Sequence, residues 1–229
     1  MYVVFIIVFL LLLIMGPQWW ARLTFSRYDK SLSRIPGTGG ELARHLLDRF
    51  EMADVPVEKT EQGGDHYDPE QRVVRLSPSN YEHNSLTAVA VAAHEVGHAI
   101  QHQRKEPKLA LRHRLVRMAQ TTQQFGAAAM FLLPVALMVT RAPSAGLIMG
   151  VIGLGSMASA TLVHLVTLPV ELDASFGKAL PILRSGRYIQ AEDETAVRRV
   201  LRAAALTYVA GSLASLLNLA RWLAFLRRA

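Results

Sequence analysis

The sequence predicts a mainly α-helical integral membrane protein, in which a bundle of roughly three or four transmembrane helices carries a small cytoplasmic α+β domain. The observations behind this prediction are compositional. The chain has 229 residues, is 51% hydrophobic and still has a net charge of +7. Its mean hydropathy is +0.22. Long apolar runs alternate with basic segments, and that combination is typical of membrane proteins.

The composition also excludes some kinds of site and partner. An isoelectric point of about 10.0 would suit a nucleic-acid-binding protein. However, the basic residues are not interleaved with aromatic ones, and no known nucleic-acid-binding motif occurs, so we predict no nucleic-acid partner. The chain contains no cysteine. Disulfides and thiolate zinc sites are therefore excluded, and any zinc must be held by histidine and carboxylate.

The first predicted transmembrane segment is residues 1–20. Its apolar run, Tyr2–Met15, is followed by Trp19 and Trp20, which would lie at the membrane–water interface. A cleaved signal peptide is the alternative, but no basic residue precedes the run and no A-x-A sequence follows it. Because the basic residues come after this segment, we expect the N-terminus outside and residues 21–118 in the cytoplasm.

The predicted cytoplasmic domain combines helices with short strands. Gly39–Phe50 has leucines at helical spacing and is predicted to be an amphipathic helix. Val55–Glu58 looks extended, and Arg72–Leu76 alternates and is bounded by turns, which indicates a strand. Asn84 or Ser85 can cap the helix that follows.

That following helix, Thr87–Gln103, contains His94-Glu95-Val96-Gly97-His98, an H-E-x-x-H motif. Residues four apart lie on one helix face, so His94 and His98 can bind one metal ion. Glu95 can then act as general base toward a water whose pKa the metal lowers. The alternative is an ordinary surface helix, but the preceding residues are almost wholly apolar, and buried histidine and glutamate need partners. We therefore predict a zincin-like site that binds one Zn²⁺ per chain.

A zinc peptidase needs a third protein ligand and keeps the fourth position for water. A third histidine at the metzincin spacing would fall on Arg104, and His102 is rotated away on the same helix. Glu171 is the favoured ligand, because it ends the longest apolar run, where an unpaired carboxylate is costly. Glu192 and Glu194 are the reserve candidates.

Two more residues near Glu171 are candidates for supporting roles. Asp173 could orient a ligand imidazole through its second nitrogen, or it could be a surface residue paired with a neighbouring base. His164 lies seven residues before Glu171 on about the same helix face. It could position substrate or stabilise an oxyanion, or it could be a hydrogen-bonded interior histidine.

The strand ahead of the motif suggests how a substrate is held. A free edge at Val73, Val74 and Arg75 could bind an extended peptide through main-chain hydrogen bonds. The alternative is an ordinary hairpin packed on the helix.

The rest of the chain divides into three predicted segments. Residues 119–170 are expected to form a transmembrane hairpin rich in small residues, with its turn at Arg141–Ser144. Residues 171–202 form a second cytoplasmic segment that supplies the third ligand. Residues 203–229 either span once more or lie in the interface. The basic stretch Arg104–Arg117 is predicted to meet anionic lipid headgroups, or else to be a solvated helix.

Several stretches closely resemble the YugP-like membrane zinc metallopeptidases of bacteria. They are the N-terminal anchor, PGTGGELARHLLD, DHYDPEQRVVRLSPSNYEHNSLTAVAVAAHEVGHAIQHQ and LPVELDAS. The resemblance implies a gluzincin with His94 and His98 as ligands, Glu95 as base and Glu171 as third ligand. Together with the positions of the apolar runs and basic residues, it leads us to expect a multi-pass protein of the bacterial inner membrane with its active site on the cytoplasmic side.

A broader similarity to the HtpX-type membrane peptidases bears on the residue that orients a ligand. There the glutamate ligand is followed by an aspartate four residues on. In this sequence that position is Ser175, and the aspartate, Asp173, comes only two residues after Glu171.

Two functions are consistent with these observations. The first is a membrane-embedded zinc metalloendopeptidase that hydrolyses cytoplasmic or membrane-proximal polypeptides. The second is a non-catalytic membrane scaffold with a structural metal site, whose basic surface recruits lipid or a partner. A general base at Glu95 favours the first, since a structural site has no use for one. Homo-oligomers and membrane-protein partners stay open.

Overall fold

The computed structural model of the protein describes residues 2–140 and 143–226. The α-helices are α1 (Tyr2–Tyr28), α2 (Gly39–Arg49), α3 (Pro78–Glu82), α4 (Leu86–Gln103), α5 (Pro107–Thr140), α6 (Pro143–Leu172), α7 (Leu180–Ser185) and α8 (Glu194–Leu226). A π-helix, Asp173–Ala179, continues α6, and a 3₁₀ turn, Ala191–Asp193, precedes α8. The strands are β1 (Val57–Lys59), β2 (His66–Asp68) and β3 (Val73–Leu76).

The prediction of a transmembrane helix bundle is wrong for this part of the chain. None of its helices combines the length and the apolar character that crossing a bilayer requires, which is about 20 consecutive, mostly apolar residues. In α5 and α8 the apolar run shares its helix with charged turns: α5 contains Lys108 and Arg112 near its start, and α8 begins with Glu194 and Arg198.

The described chain instead forms an α+β fold of helices with one small mixed sheet. The long helices pack in pairs, α1 along α8, α5 along α6 and α6 along α8. The predicted turn at Arg141–Ser144 lies partly outside the described residues. The division of the chain into the segments 1–20, 21–118, 119–170, 171–202 and 203–229 stays a prediction.

The sheet has the order β1-β3-β2. β1 pairs parallel with β3, so that Val57 lies opposite Val74. β2 pairs antiparallel with β3, so that Tyr67 also lies opposite Val74. β3 is therefore the central strand, and its residues Val73, Val74 and Leu76 are buried. The free edges of the sheet belong to β1 and β2.

The predicted amphipathic helix and metal-binding helix are both confirmed. At the start of α2, the hydroxyl of Thr38 accepts the backbone N–H of Glu41, and the Glu41 carboxylate accepts the N–H of Thr38, which is a capping box. Ser85 caps α4 by accepting the backbone N–H of Ala88. α4 then runs through the core, packed against α2, α8 and the π-helix.

The π-helix brings the second half of the site against α4. Gly97, in the middle of α4, lies against the backbone of Ala174 in the π-helix, where an added Cβ would be 2.9 Å from the Ala174 carbonyl oxygen. A side chain at position 97 would hold the two helices apart. π-helical turns are rare, and those that occur are often at functional sites. This one begins two residues after Glu171.

Candidate metal centre

Two histidines of α4 and one glutamate of α6 converge in the core. His94 Nε2 lies 3.2 Å from Glu171 Oε2, and His98 Nε2 lies 3.3 Å from the same oxygen. All three residues are buried, and their ligand atoms lie within 4.8 Å of one another. In the described part of the chain, this is the one group of histidine and carboxylate side chains suited to a metal ion.

A chain of hydrogen bonds fixes the orientation of His98. The Gln101 amide nitrogen donates to the Val170 carbonyl oxygen at 3.0 Å and to Asp173 Oδ2 at 2.7 Å. These two acceptors assign the amide orientation, so Gln101 Oε1 faces His98 Nδ1 at 2.9 Å. His98 Nδ1 therefore carries a hydrogen, and in the neutral imidazole Nε2 has a lone pair directed toward Glu171.

His94 is held from behind in the same way. The Ser175 hydroxyl lies 3.0 Å from His94 Nδ1, and Ser175 is completely buried. Ser175 stands four residues after Glu171, one turn further along the chain. A hydroxyl can donate or accept, so this contact fixes the rotation of the His94 ring, as hydrogen-bond partners of metal-binding imidazoles do.

This arrangement fits a zinc ion. His98 Nε2 and a carboxylate oxygen 3.3 Å away need a positive centre between them, which is either a proton on the imidazole or a bound cation. Two ligands that are both roughly 2.0 Å from a tetrahedral zinc lie about 3.3 Å apart, close to the distances found here. Glu171 Oε1 is buried and accepts no hydrogen bond within the described structure, although Arg112 Nη1 lies 3.3 Å from it as an ion-pair partner. Two imidazoles and one carboxylate are also a donor set that zinc accepts.

The electrostatics of Glu171 match a ligand that stays ionised. Burial on its own would raise the pKa of this carboxyl group. The contacts with His94 and His98 outweigh burial and hold the pKa well below its usual range. Arg112 adds a positive charge, because its Nη1 lies 3.3 Å from Glu171 Oε1.

Glu95 is buried beside the three candidate ligands. Burial raises its pKa to about 7, partly opposed by His94 and reinforced by the negative charges of Glu171 and Asp65. A carboxyl group with a pKa near the working pH is suited to general-base catalysis. Together with His94, His98 and Glu171, Glu95 lines a small cavity of about 70 Å³, which we call the metal cavity.

Two hydrogen-bond donors from other helices complete the metal cavity. Tyr208 comes from α8 and Arg112 from α5. Burial raises the pKa of the Tyr208 phenol, and the negative charges of Glu171 and Glu95 raise it further, so the hydroxyl keeps its proton. The sequence does not single out Tyr208, because the stretch of α8 around it is apolar and contains no motif.

The structure places the two predicted supporting residues differently. Asp173 contacts no ligand imidazole. It accepts hydrogen bonds from Gln101 and Lys178 instead, so it acts on His98 only through Gln101. His164 lies where α6 meets α8, with ring atoms 3.2 to 3.4 Å from the position of a Cβ on Gly211. The structure does not bring His164 into the metal cavity.

The prediction that Val73, Val74 and Arg75 form a free edge strand is wrong. Val73, Val74 and Arg75 belong to β3, whose two edges are both paired, so they offer no free edge to a peptide. The strand β2 was not predicted, because it is only three residues long and its segment has the residue types of a turn. Its residues His66 and Tyr67 line the metal cavity.

The remaining candidate ligands lie elsewhere. Glu194 pairs with Arg198 at 2.7 Å, and Glu192 is exposed in the 3₁₀ turn before α8. His102 Nδ1 is 2.8 Å from the Tyr67 hydroxyl and lies outside the ligand group. Gln101 and Ser175, which contact the ligand histidines, were not singled out as orienting residues. One sequence feature could have indicated Ser175: it lies four residues after Glu171, where the HtpX-type peptidases have an aspartate.

Comparison with known proteins agrees with this site. Residues 2–227 match the model of a family described as "Putative neutral zinc metallopeptidase". The chain is 39% identical over 225 residues to the Bacillus subtilis (strain 168) protein named "Putative membrane protease YugP", and the match covers 94% of each chain. No solved structure matches the chain. The protein therefore belongs to this zinc metallopeptidase family.

Proposed function

We propose that the protein is a zinc-dependent endopeptidase, with His94, His98 and Glu171 as ligands of a single zinc ion and Glu95 as general base. One observation carries the proposal. The Nε2 atoms of both histidines converge on one Glu171 oxygen, while the Nδ1 atoms are held by Ser175 and Gln101. Nε2 atoms that converge on one carboxylate oxygen, with both Nδ1 atoms already engaged by other partners, are the arrangement that a zinc ligand set requires.

Each residue has a chemical task in this proposal. When bound, zinc supplies a Lewis acid that activates water and polarises the peptide carbonyl. Glu95 accepts the proton of the attacking water and passes it to the leaving amine. Its burial among His94, Tyr208 and the other residues of the metal cavity keeps bulk water away from that transfer.

Tyr208 is the proposed donor to the oxygen that becomes negative during peptide hydrolysis. Its hydroxyl keeps its proton and lines the same cavity as Glu95. A preorganised donor aimed at developing charge stabilises the transition state more than the ground state. Arg112 supplies positive charge to the same cavity.

β2 is the proposed site for the substrate backbone. It is an edge strand, and His66 and Tyr67 place it directly at the metal cavity. The hydroxyl of Tyr67 bonded to His102 ties β2 to α4, which gives the edge a fixed distance from the ligands. An extended polypeptide could add to this edge through main-chain hydrogen bonds.

Membrane association is a separate part of the proposal. The Bacillus subtilis relative is named a membrane protease. In α1, the side chains of Trp19, Trp20 and Leu23 are exposed next to Arg22. Aromatic, apolar and basic side chains together are typical of a surface that lies in a membrane interface. Binding to anionic liposomes that is lost in Trp19→Ser/Trp20→Ser would support this part, and unchanged binding would contradict it.

The experiment that tests the function compares wild type with Glu95→Gln. Both are purified, loaded with zinc and incubated with an unfolded reporter polypeptide. We expect wild type to cut, and Glu95→Gln to keep its zinc while losing about 10²- to 10⁴-fold in rate. If zinc-loaded wild type cuts no polypeptide, the peptidase proposal fails and the scaffold hypothesis replaces it.

A further inference from the structure

A second cavity, of about 230 Å³, adjoins the metal cavity. The two cavities share His94, Glu95 and Tyr208 as lining residues. They therefore adjoin one another at the residue that we propose as general base. A group seated in the second cavity would lie within one side chain of the reacting atoms.

The walls of this second cavity are mainly apolar. Phe25 of α1, Val91 of α4 and Leu201 and Ala204 of α8 line it. We call it the apolar pocket. Three helices that are far apart in sequence contribute to it, so it is a feature of the tertiary fold.

Val91 shows that the apolar pocket is open at α4. From Leu86 to Gln101 every residue of this helix is buried except Val91. Val91 stands one helical turn before Glu95, on the same face. Val91 packs partly against the core and keeps part of its apolar surface free toward the pocket, where another apolar group can contact it.

We propose that the apolar pocket binds one large apolar side chain of the polypeptide substrate, at a residue that flanks the scissile bond. This inference rests on the proposed function and specifies the substrate class. The occupant follows from the continuity of the two cavities: a chain held with its scissile carbonyl at the metal cavity must place a neighbouring side chain next to Glu95.

The size of the apolar pocket fits such a side chain. An apolar cavity of about 150 Å³ is enough to hold benzene. At about 230 Å³, the apolar pocket has room for phenylalanine, leucine or methionine. Small residues would leave part of it empty, and charged residues would lose their hydration there.

The other neighbouring cavity offers a contrasting environment. It measures about 760 Å³ and shares Arg112 and His113 with the metal cavity. Lys105 and Arg117 also line it, and both are exposed. Asp68, Glu70 and Glu106 line it as well, so charged side chains of both signs border this cavity. A large apolar side chain is better accommodated in the apolar pocket.

The test maps cleavage sites in an unfolded reporter polypeptide by mass spectrometry, using the zinc-loaded full-length protein. Wild type is expected to cut where phenylalanine, leucine or methionine occupies one fixed position next to the cut bond, at least tenfold more often than where alanine does; a pocket can discriminate about 10- to 200-fold per methylene group. Cleavage with no such enrichment would overturn the inference and leave the peptidase proposal standing.

Variants separate the apolar pocket from general folding effects. Ala204→Phe fills it and should shift the preferred residue to alanine or glycine. Val91→Ala enlarges it and should shift the preference toward tryptophan, which keeps the test decisive if Ala204→Phe does not fold. Ala53→Phe, at an exposed turn residue, is the matched control and should keep the wild-type pattern.

Three outcomes are distinguishable. Opposite shifts in the two variants support a side-chain site in the apolar pocket. An unchanged preference in folded Ala204→Phe and Val91→Ala overturns it, as expected if another group such as a lipid chain filled the pocket. No cleavage by wild type overturns the proposed function, and this inference with it.

Discussion

Gly97 of α4 lies so close to Ala174 that a methyl group on Gly97 would stand 2.9 Å from the Ala174 carbonyl oxygen. Real Cβ atoms do not approach a backbone oxygen this closely, and a backbone atom cannot rotate away as the end of a side chain can. This contact sets the distance between the helix that carries both histidines and the segment that carries Glu171 and Ser175. The spacing of the metal ligands therefore depends on a hydrogen atom at position 97.

Gly97→Ala should therefore separate the two halves of the site. We expect a loss of about 1–3 kcal/mol in the free energy of unfolding from overpacking, together with weaker zinc binding. Urea unfolding and zinc titration measure the two effects. Gly155→Ala is the matched control, because an added Cβ at Gly155 has nothing within 4 Å. Equal zinc affinity in Gly97→Ala and wild type would show that the close contact is not needed.

Ser175→Ala removes the partner of His94 Nδ1. The imidazole then loses the contact that fixes its rotation, and zinc affinity should fall by about 10- to 100-fold. Competition with a chelator of known affinity measures this change. Ser185→Ala, at an exposed serine, should bind zinc as wild type does. Wild-type affinity in Ser175→Ala would assign Ser175 to packing alone.

Gln101→Ala should weaken zinc binding more than Asp173→Asn does. Gln101 contacts His98 directly, whereas Asp173 reaches it only through the Gln101 amide. We expect a loss of about 10- to 100-fold for Gln101→Ala, since it orients a ligand, and a smaller loss for Asp173→Asn. The reverse order would mean that Asp173 is the orienting group, as the sequence suggested.

Tyr208→Phe should lower kcat while zinc content and KM stay unchanged. Removing one donor to a developing oxyanion costs about 10²- to 10³-fold in kcat. Steady-state kinetics on one reporter peptide separates kcat from KM. Tyr188→Phe is the control, since the Tyr188 hydroxyl contacts only His45 and Arg49 among the described residues. An unchanged kcat in Tyr208→Phe would exclude the proposed donor role.

The sequence predicted the residues whose spacing is local. His94, Glu95 and His98 lie on one predicted helix, and helical geometry alone places them together. Glu171 could be proposed because a carboxylate at the end of a long apolar run needs a partner. The structure brings these residues together, although their roles as base and ligands stay proposals.

The contacts that hold the ligands were not predictable in the same way. Gln101, Ser175 and Tyr208 meet the site through packing of α4 against the π-helix and α8, and no local pattern records such packing. β2 is too short for its alternation to be recognised. The transmembrane prediction rested on counts of apolar residues, and no helix among the described residues has the length and apolar character of a span.

The most direct test of the account is zinc X-ray absorption of the purified protein, in wild type and in Glu171→Ala. If His94, His98 and Glu171 bind the metal, wild type should contain one zinc per chain. The zinc should have two imidazole nitrogens and two oxygens at roughly 2.0–2.2 Å, and these oxygens should come from Glu171 and water. Glu171→Ala should lose an oxygen ligand and bind zinc weakly. Four protein ligands without water in wild type, or an unchanged spectrum in Glu171→Ala, would contradict the account.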